Sequence, residues 1–324
     1  MSGTVVLYAP SDDTLADFQR VAPGGADISW VDSTQPIKQQ ASQLKDAVAV
    51  IVAGGGGFSV ELAKSCARLT LIQTTSAGTD RLDKQALGEM GIRVANNGGG
   101  NAVAVAEHTM ALIVSTYRKL QLQLQAVKSG EWAGDVRASW FSQAHEIAGR
   151  TVGIIGLGRI GSRVARRLQG WECDIIYHDV LRFPDLEAEL GVSSVSKDEL
   201  LESSDVVTLH VPLNRHTSGM MGDREFAMMK PTAVLINACR GPVVDEAALI
   251  RAIKEGKIAA AGLDVLEEEP TPRDNPLLGM DNVLVTPHMA SFAQESGEKS
   301  RVFAMRNVTT VAQGGEPESI VLPE

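Results

Sequence analysis

The sequence contains few aromatic residues and few cysteines. Aromatic residues make up 4% of its 324 positions, whereas hydrophobic residues as a whole reach 44%. Strands that are buried on both faces of a parallel sheet favour this aliphatic composition. The cysteines (Cys66, Cys173 and Cys239) are odd in number and lack the spacing of a metal site or a disulfide framework. These features favour a reducing compartment, and we expect a cytoplasmic protein.

The chain also lacks a long apolar run and an excess of basic charge. No segment reaches the roughly 18 consecutive apolar residues of a membrane span. Met1–Pro10 has neither the basic segment nor the apolar length of a secretion signal. A formal net charge of -10 argues against nucleic acid or an anionic membrane as a partner, because both attract basic proteins. We therefore expect a globular protein that binds a small molecule.

Short apolar segments alternate with helical patterns along most of the chain, which predicts an α/β fold. In the first part, strands are predicted at Thr4–Ala9, Ala47–Val52, Leu69–Thr74 and Ile92–Ala95. The following segment, Asn101–Lys128, contains no proline or glycine, and we predict one continuous helix there.

A second alternating series follows that helix. Its predicted strands are Thr151–Gly156, Asp174–Asp179, Val206–His210, Ala233–Ala238, Ala260–Asp264 and Val283–Thr286. Strict alternation of strands and helices gives parallel sheets with helices on both faces. A last helix, Phe292–Ala312, has no further strand to join and is expected to pack back on the first part. We predict two doubly wound parallel-sheet domains, one discontinuous (1–101 plus 293–324) and one continuous (102–292).

A glycine-rich motif follows the first strand of the second series. In the sequence TVGIIGLGRIG, Gly156, Gly158 and Gly161 come directly after an apolar strand and open a helix. In a dinucleotide site these glycines allow a tight turn, close approach of the pyrophosphate, and packing of the helix on the strand. The amides around Arg159 and Ile160 then face the phosphates from the helix N-terminus.

A carboxylate, Asp179, lies at the end of the next strand. At that position it accepts hydrogen bonds from the adenosine ribose and repels a 2′-phosphate, which favours NAD over NADP. Arg182 is close enough in sequence to weaken that preference. The alternative interpretation is a structural glycine turn beside an exposed aspartate, but the register of all these features favours a dinucleotide site.

Three further strand ends carry residues suited to acid–base chemistry: Arg240, the acidic run that ends at Glu269, and His288. An arginine clamps a carboxylate and polarises a carbonyl, an imidazole transfers a proton near neutral pH, and a carboxylate behind the imidazole fixes its tautomer. Together they predict hydride transfer to a 2-keto acid. Taken singly, each has another interpretation: a surface arginine, a solvated charge run, and a neighbour of a helix N-cap.

Three other residues have weaker functional interpretations. His210 ends a strand and is expected to line the cofactor pocket. His108 lies inside the long predicted helix, where a packing or interdomain role is favoured. Cys239 precedes Arg240, and a small buried residue is favoured there over a redox switch.

The motifs resemble those of the D-isomer-specific 2-hydroxyacid dehydrogenase family, in the family's order. They are NAVAVAEH (Asn101–His108), GLGRIG, HVPLNRHT (His210–Thr217), INACRGPVVDEAAL (Ile236–Leu249), GLDVLEEEP (Gly262–Pro270) and TPH (Thr286–His288). The resemblance implies a flavodoxin-like substrate-binding domain (1–101 plus 293–324) and a Rossmann NAD-binding domain (102–292). It also implies a homodimer joined through the NAD-binding domain.

Site residues follow from the resemblance position by position. Arg240 is similar to the family's substrate arginine, Glu269 to the glutamate before proline, and His288 to the acid/base. Asp264 resembles the residue near the nicotinamide carboxamide. The segment Ser76-Ala77-Gly78 resembles the family's loop whose backbone amides bind the substrate carboxylate. Further cofactor contacts are expected at Val105, His210, Val211, Pro212, Thr217, Ala238 and Cys239.

Departures from the family pattern narrow the range of expected substrates. Ala53 stands where phosphoglycerate dehydrogenases often place an arginine, and the uncharged Ala53–Gly57 argues against a phosphorylated substrate. Ala77 stands where phosphite dehydrogenases carry a lysine, which argues against phosphite as the substrate. Glu269 stands where formate dehydrogenases carry a glutamine, which argues against formate. A small glyoxylate-, hydroxypyruvate- or branched-keto-acid-like substrate is expected. The alternatives are a phosphoglycerate dehydrogenase proper and a dinucleotide-sensing, corepressor-like binding protein.

Overall fold

The computed structural model describes residues 4–53, 55–132, 134 and 143–323. The chain forms two compact units, Met1–Asn101 with Phe292–Glu324, and Ala102–Ser291. The first unit is therefore discontinuous in sequence. Each unit is built on a parallel sheet, with five strands in the first and seven in the second, which confirms the predicted fold class.

The first unit has the strand order β2-β1-β3-β4-β5, the order of a flavodoxin-like sheet. Its strands are β1 (Thr4–Ala9), β2 (Ile28–Asp32), β3 (Ala47–Val52), β4 (Leu71–Thr74) and β5 (Arg93–Ala95). Its helices are α1 (Leu15–Arg20), α2 (Ile37–Leu44), α3 (Val60–Lys64), α4 (Lys84–Glu89) and, from the end of the chain, α12 (Gln294–Ala312). Because β1 and β3 are apolar along their length, they are buried on both faces. Met305 and Val308 of α12 cover one face, against Leu7 and Ile51.

The second unit has the strand order β12-β11-β10-β9-β6-β7-β8, and each neighbouring pair is parallel. Its strands are β6 (Thr151–Ile155), β7 (Asp174–His178), β8 (Ser193–Ser194), β9 (Val206–Leu209), β10 (Val234–Asn237), β11 (Ala260–Leu263) and β12 (Val283–Val285). Its helices are α5 (Ala102–Tyr117), α6 (Leu120–Lys128), α7 (Gly161–Leu168), α8 (Pro184–Leu190), α9 (Lys197–Ser203), α10 (Asp223–Met228) and α11 (Glu246–Lys254). The chain reverses its order between β6 and β9, and ligands of doubly wound sheets bind beside such a reversal.

Each strand predicted from the sequence is present, with ends shifted by at most two residues. The prediction of one continuous helix over Asn101–Lys128 was wrong. Lys119 adopts a left-handed conformation with φ of 52° and separates α5 from α6. Its backbone N–H donates to Thr116 rather than to the residue four positions back, so the first helix ends in a tightened turn. No helix in the described ranges is both long and apolar enough to cross a bilayer.

Candidate active site

Most of the predicted site residues lie at one edge of the second sheet. They follow the carboxyl ends of β6 (Gly156, Gly158, Arg159, Ile160, Gly161), β7 (Asp179), β9 (His210, Val211, Pro212, Thr217), β10 (Ala238, Cys239, Arg240), β11 (Asp264, Glu269) and β12 (His288). Since the strands are parallel, these ends share an edge. Within this unit Val105 is the exception, because it lies on α5 and is buried in the core; the predicted Ser76, Ala77 and Gly78 belong to the first unit. Within the described ranges, no group of His, Cys, Asp or Glu side chains is arranged to bind a metal ion.

The three glycines of the motif have different surroundings. A Cβ on Gly156 would lie 2.5 Å from the carbonyl oxygen of His210, and one on Gly161 would lie 2.0 Å from that of Gly156. These two glycines are therefore required by the packing of the chain itself. Gly158, in contrast, has no atom within 4 Å of its Cβ position. The open space at Gly158 is where a dinucleotide pyrophosphate approaches the backbone, so the turn fits the cofactor.

Asp179 connects the end of β7 to the glycine turn. One carboxylate oxygen accepts the backbone N–H of Leu157 at 2.8 Å, and the other accepts that of Leu181 at 3.0 Å. A carboxylate offers about four acceptor positions, so lone pairs remain for two ribose hydroxyls. The residue is thus fixed in place and still able to bind a sugar.

The loop after β9 carries a histidine that stays neutral. Burial lowers the pKa of His210 to about 3, and its Nε2 lies 3.0 Å from Oγ1 of Thr208. Farther along the loop, the Thr217 hydroxyl donates to the carbonyl oxygen of Pro212 at 2.6 Å and closes the turn. His210 is therefore an uncharged polar group on this edge, where the sequence predicts a residue that lines the cofactor pocket.

The turn that carries Arg240 is shaped by Asn237. The side chain of Asn237 accepts the N–H of Cys239 and donates to the carbonyl oxygen of Arg240, both at 3.0 Å. Gly241 packs so closely that a Cβ there would lie 1.8 Å from the carbonyl oxygen of Leu266. The arginine turn is therefore packed directly against the loop that leads to Glu269.

Cys239 has the properties of a small buried residue. Burial raises the pKa of its thiol to about 11, and its Sγ donates to Oδ1 of Asn237 at 3.1 Å. A thiol reacts as its thiolate, which is scarce at neutral pH with such a pKa. The structure favours the packing interpretation over a redox switch.

His288 and Glu269 form a close pair at this edge of the second sheet. Nδ1 of His288 lies 2.6 Å from Oε2 of Glu269, and the other oxygen of Glu269 accepts the N–H of Leu266 at 3.0 Å. Among three consecutive glutamates, Glu269 is the one whose carboxylate contacts the imidazole. The two side chains are 46% and 31% exposed, so a ligand can reach them. With Nδ1 facing Glu269, Nε2 is the ring nitrogen that Glu269 does not contact.

The backbone of His288 is held in a strained conformation. Its φ of 54° lies in the left-handed region, which costs a non-glycine residue about 1–3 kcal/mol. The N–H of His288 donates to the carbonyl oxygen of Asp264 at 2.8 Å. The Asp264 carboxylate accepts the next two amides, of Met289 at 2.9 Å and Ala290 at 2.8 Å. Asp264 is buried, and these bonds offset the strain and orient the His288 loop.

The sequence did not predict that Asp264 has two further side-chain partners. The hydroxyl of Thr286 donates to its Oδ1 at 2.6 Å. Nε2 of His108 lies 3.0 Å from that hydroxyl and 3.5 Å from the carboxylate. His108, for which a packing or interdomain role was predicted, therefore belongs to a polar network that ends at the His288 loop. In the sequence, the feature that could have indicated this network is Thr286, the threonine of the TPH motif.

In the first unit, Ser76, Ala77 and Gly78 follow the carboxyl end of β4. Their carbonyl oxygens accept hydrogen bonds from Asn97, Asn96 and the Ser76 hydroxyl respectively. Their N–H groups donate to no other group in the described ranges. Three such amides in one short loop suit an anionic ligand.

Arg81 lies beside the glycine-rich segment Ala53–Gly57 of the first unit, a position that the sequence did not predict. Nη1 of Arg81 donates to the carbonyl oxygen of Gly55 at 3.1 Å. The segment Ala53–Gly57 was interpreted as uncharged surroundings; Gly54 is outside the described residues. Arg81 therefore weakens the inference that a phosphorylated substrate is disfavoured.

Comparison with known proteins supports a dinucleotide-binding dehydrogenase. Residues 110–290 match the family model for the D-isomer specific 2-hydroxyacid dehydrogenase, NAD binding domain. The chain is 36% identical over 299 residues to a glyoxylate reductase from Korarchaeum cryptofilum, covering 91% of this chain and 89% of that protein. It is 38% identical over 310 residues to a D-3-phosphoglycerate dehydrogenase from Archaeoglobus fulgidus, covering 96% of this chain and 57% of that protein. The structure of D-lactate dehydrogenase from Aquifex aeolicus, complexed with NAD and lactic acid, is similar with a TM-score of 0.83 at 32% identity, covering 95% and 96% of the two chains.

The strand order, the glycine turn and the strand-end carboxylate define a dinucleotide-binding protein of the Rossmann type. More narrowly, the chain belongs to the D-isomer specific 2-hydroxyacid dehydrogenase family. The chain is an NAD-dependent oxidoreductase of that family, which confirms the enzyme class and the cofactor expected from the sequence.

Proposed function

We propose that this chain reduces a small 2-keto acid to the D-2-hydroxy acid with NADH, and catalyses the reverse reaction with NAD. The observation that carries the proposal is the 2.6 Å pair of His288 and Glu269. It lies at the carboxyl edge of the sheet whose first strand leads into the dinucleotide turn. The names of the relatives, glyoxylate reductase and D-lactate dehydrogenase, support a substrate of this class.

Each catalytic residue has a distinct role in the proposed reaction. Bound NADH supplies the hydride that reaches the carbonyl carbon. Arg240 binds the substrate carboxylate through its two-pronged donor face and polarises the carbonyl. His288 donates a proton from Nε2 to the carbonyl oxygen, which completes the alcohol. Glu269 fixes the tautomer of His288 and stabilises the positive charge on its ring.

We propose that the two units divide the remaining work. The first unit, Met1–Asn101 with Phe292–Glu324, binds the substrate, with the amides of Ser76, Ala77 and Gly78 on its carboxylate. The second unit, Ala102–Ser291, binds NAD, with Asp179 on the adenosine ribose. The unpaired amides of the first loop and the open space at Gly158 support this division.

A small, uncharged side chain on the 2-keto acid is the first candidate for the substrate. A phosphorylated 2-keto acid is the second, and two observations favour it: the guanidinium of Arg81 beside Gly55 and the similarity to a D-3-phosphoglycerate dehydrogenase. Steady-state oxidation of NADH with glyoxylate, hydroxypyruvate, a branched 2-keto acid and phosphohydroxypyruvate separates the two. We expect turnover with at least one of them. Tight NADH binding without turnover on any would support the binding-protein alternative and contradict the proposal.

We propose that the protein is a cytoplasmic homodimer joined through the NAD-binding unit. Leu120, Leu124 and Val127 form an exposed apolar stripe on one face of α6, with exposures of 41%, 56% and 57%, and Trp132 near its end is 72% exposed. A second copy of this surface would bury the stripe. Leu124→Lys is expected to shift the mass measured by light scattering from dimer to monomer, and a wild-type monomer would contradict the proposal.

A further inference from the structure

The arginine that follows the ribose carboxylate is bound by a neighbouring glutamate. Nε of Arg182 lies 3.0 Å from Oε1 of Glu187, and Nη2 lies 3.0 Å from Oε2. The pair is therefore bidentate, the geometry in which a guanidinium is best matched to a carboxylate. Arg182 is 72% exposed, whereas Glu187 is only 16% exposed, so the glutamate is the fixed partner.

Glu187 is fixed from the interior of the unit. The hydroxyl of the buried Tyr177 donates to Oε1 of Glu187 at 2.7 Å and accepts the N–H of Phe183 at 3.0 Å. Hydrogen bonds from Arg182 and Tyr177 hold the pKa of Glu187 below its usual range. The carboxylate is thus ionised and oriented toward Arg182 at neutral pH.

The position of Arg182 gives this pair a consequence for cofactor choice. Arg182 comes three residues after Asp179, in a turn that folds back because Leu181 donates its N–H to Asp179. An arginine close to this position accommodates the 2′-phosphate in NADP-binding sites. Here two of the five N–H donors of the guanidinium, on Nε and Nη2, are bonded to Glu187. Asp179 repels a 2′-phosphate, and the carboxylate of Glu187 neutralises and orients the cation that would offset this repulsion.

We propose that Glu187 is a specificity-determining residue, which maintains the preference for NAD by keeping Arg182 away from a 2′-phosphate. The inference rests on the proposed ribose site at Asp179. It differs from a rule based on Asp179 alone, because it makes the NAD preference depend on a residue of α8 whose carboxylate contacts Tyr177 and Arg182. The two contributions are separable by mutation.

The test compares NADH and NADPH binding by nicotinamide fluorescence in four proteins: wild type, Glu187→Ala, Arg182→Ala and the double variant. An exposed ion pair corresponds to about a two- to fivefold effect on an equilibrium constant. We therefore expect Glu187→Ala to lower the Kd for NADPH about two- to fivefold while the Kd for NADH is unchanged. In the Arg182→Ala background, the same glutamate substitution is expected to have no effect. An equal gain in both backgrounds would show simple charge removal and overturn the inference.

Glu189→Ala is the matched control, because Glu189 lies on the same helix and pairs with Arg166 at 2.6 Å. It removes the same charge and a salt bridge of the same kind, and we expect it to leave the NADPH-to-NADH affinity ratio unchanged. A ratio that changes as much as in Glu187→Ala would contradict the proposal. Wild-type protein that fails to bind NADH would refute the dinucleotide site itself, whereas normal NADH binding with an unresponsive ratio refutes only the role of Glu187.

Discussion

The glycine turn gives the most quantitative prediction, since Gly158 and Gly161 are three residues apart and face different surroundings. In Gly161→Ala the new Cβ would lie 2.0 Å from the carbonyl oxygen of Gly156, where ordinary contact begins at 3.4 Å. The atom to be displaced is backbone, so α7 must move away from the end of β6. In Gly158→Ala the new methyl group meets no atom within 4 Å.

The expected magnitudes follow from this difference. Overpacking of this kind costs about 1–3 kcal/mol, and the contact at Gly161 lies at the severe end. For a unit of this size, each kcal/mol lowers the Tm by roughly 2–4 °C, so Gly161→Ala, at about 3 kcal/mol, should lose roughly 6–12 °C. Gly158→Ala should keep the wild-type Tm or gain slightly, because alanine reduces the entropy of the unfolded chain by about 0.4–1 kcal/mol.

Thermal unfolding and an NADH titration together test this reasoning. Gly158→Ala is expected to raise the Kd for NADH about tenfold or more, which corresponds to roughly 1.4 kcal/mol, because its methyl group occupies the space proposed for the pyrophosphate. Gly161→Ala should instead show its main defect as a lower Tm. If Gly158→Ala melts like wild type and also binds NADH like wild type, the assignment of the turn to the cofactor is refuted.

The remaining predictions concern the residues around the imidazole. His288→Ala should lower kcat roughly 100-fold or more while the Kd for NADH stays constant, and an unchanged rate would remove His288 from the mechanism. Thr286→Val should lower kcat about tenfold, because it removes the hydroxyl that donates to Asp264 and contacts His108, and so weakens the polar network behind the His288 loop. Thr286→Ser should restore the rate, since it keeps the hydroxyl; a serine variant as slow as the valine variant would show that the methyl packing matters instead.

Much of the fold could be predicted because buried parallel strands are continuous apolar runs. The predicted bounds of β1 (Thr4–Ala9) and β3 (Ala47–Val52) coincide with those in the structure. The strands that the sequence did not predict carry a weaker signal. β2 (Ile28–Asp32) pairs only with β1 at the sheet edge and is only partly buried, and β8 (Ser193–Ser194) has two exposed residues.

The break between α5 and α6 could not be predicted from local propensity. Arg118, Lys119 and Leu120 are residue types compatible with a helix, and neither glycine nor proline marks the interruption. The left-handed backbone at Lys119 belongs to a residue that is 8% exposed. Tertiary packing therefore overrides an uninterrupted helical pattern at this point.

The site was predictable where chemistry coincides with strand ends, and not where it depends on distant contacts. Arg240 and His288 each follow a strand, so the parallel topology alone brings them to one edge. The bond between His108 and Thr286 joins residues 178 positions apart, and no local pattern announces it. The pairing of Glu187 with Arg182 likewise depends on the support from Tyr177.

The central claim is hydride transfer to the carbonyl carbon of a 2-keto acid. The most direct measurement reduces hydroxypyruvate or a branched 2-keto acid, whose product has a stereocentre, with NADH deuterated at the transferring position. The 2-hydroxy acid product is then analysed by mass spectrometry and by chiral chromatography. We expect a D-2-hydroxy acid that carries one deuterium on the carbon bearing the hydroxyl. An unlabelled product, or a labelled L acid, would contradict it.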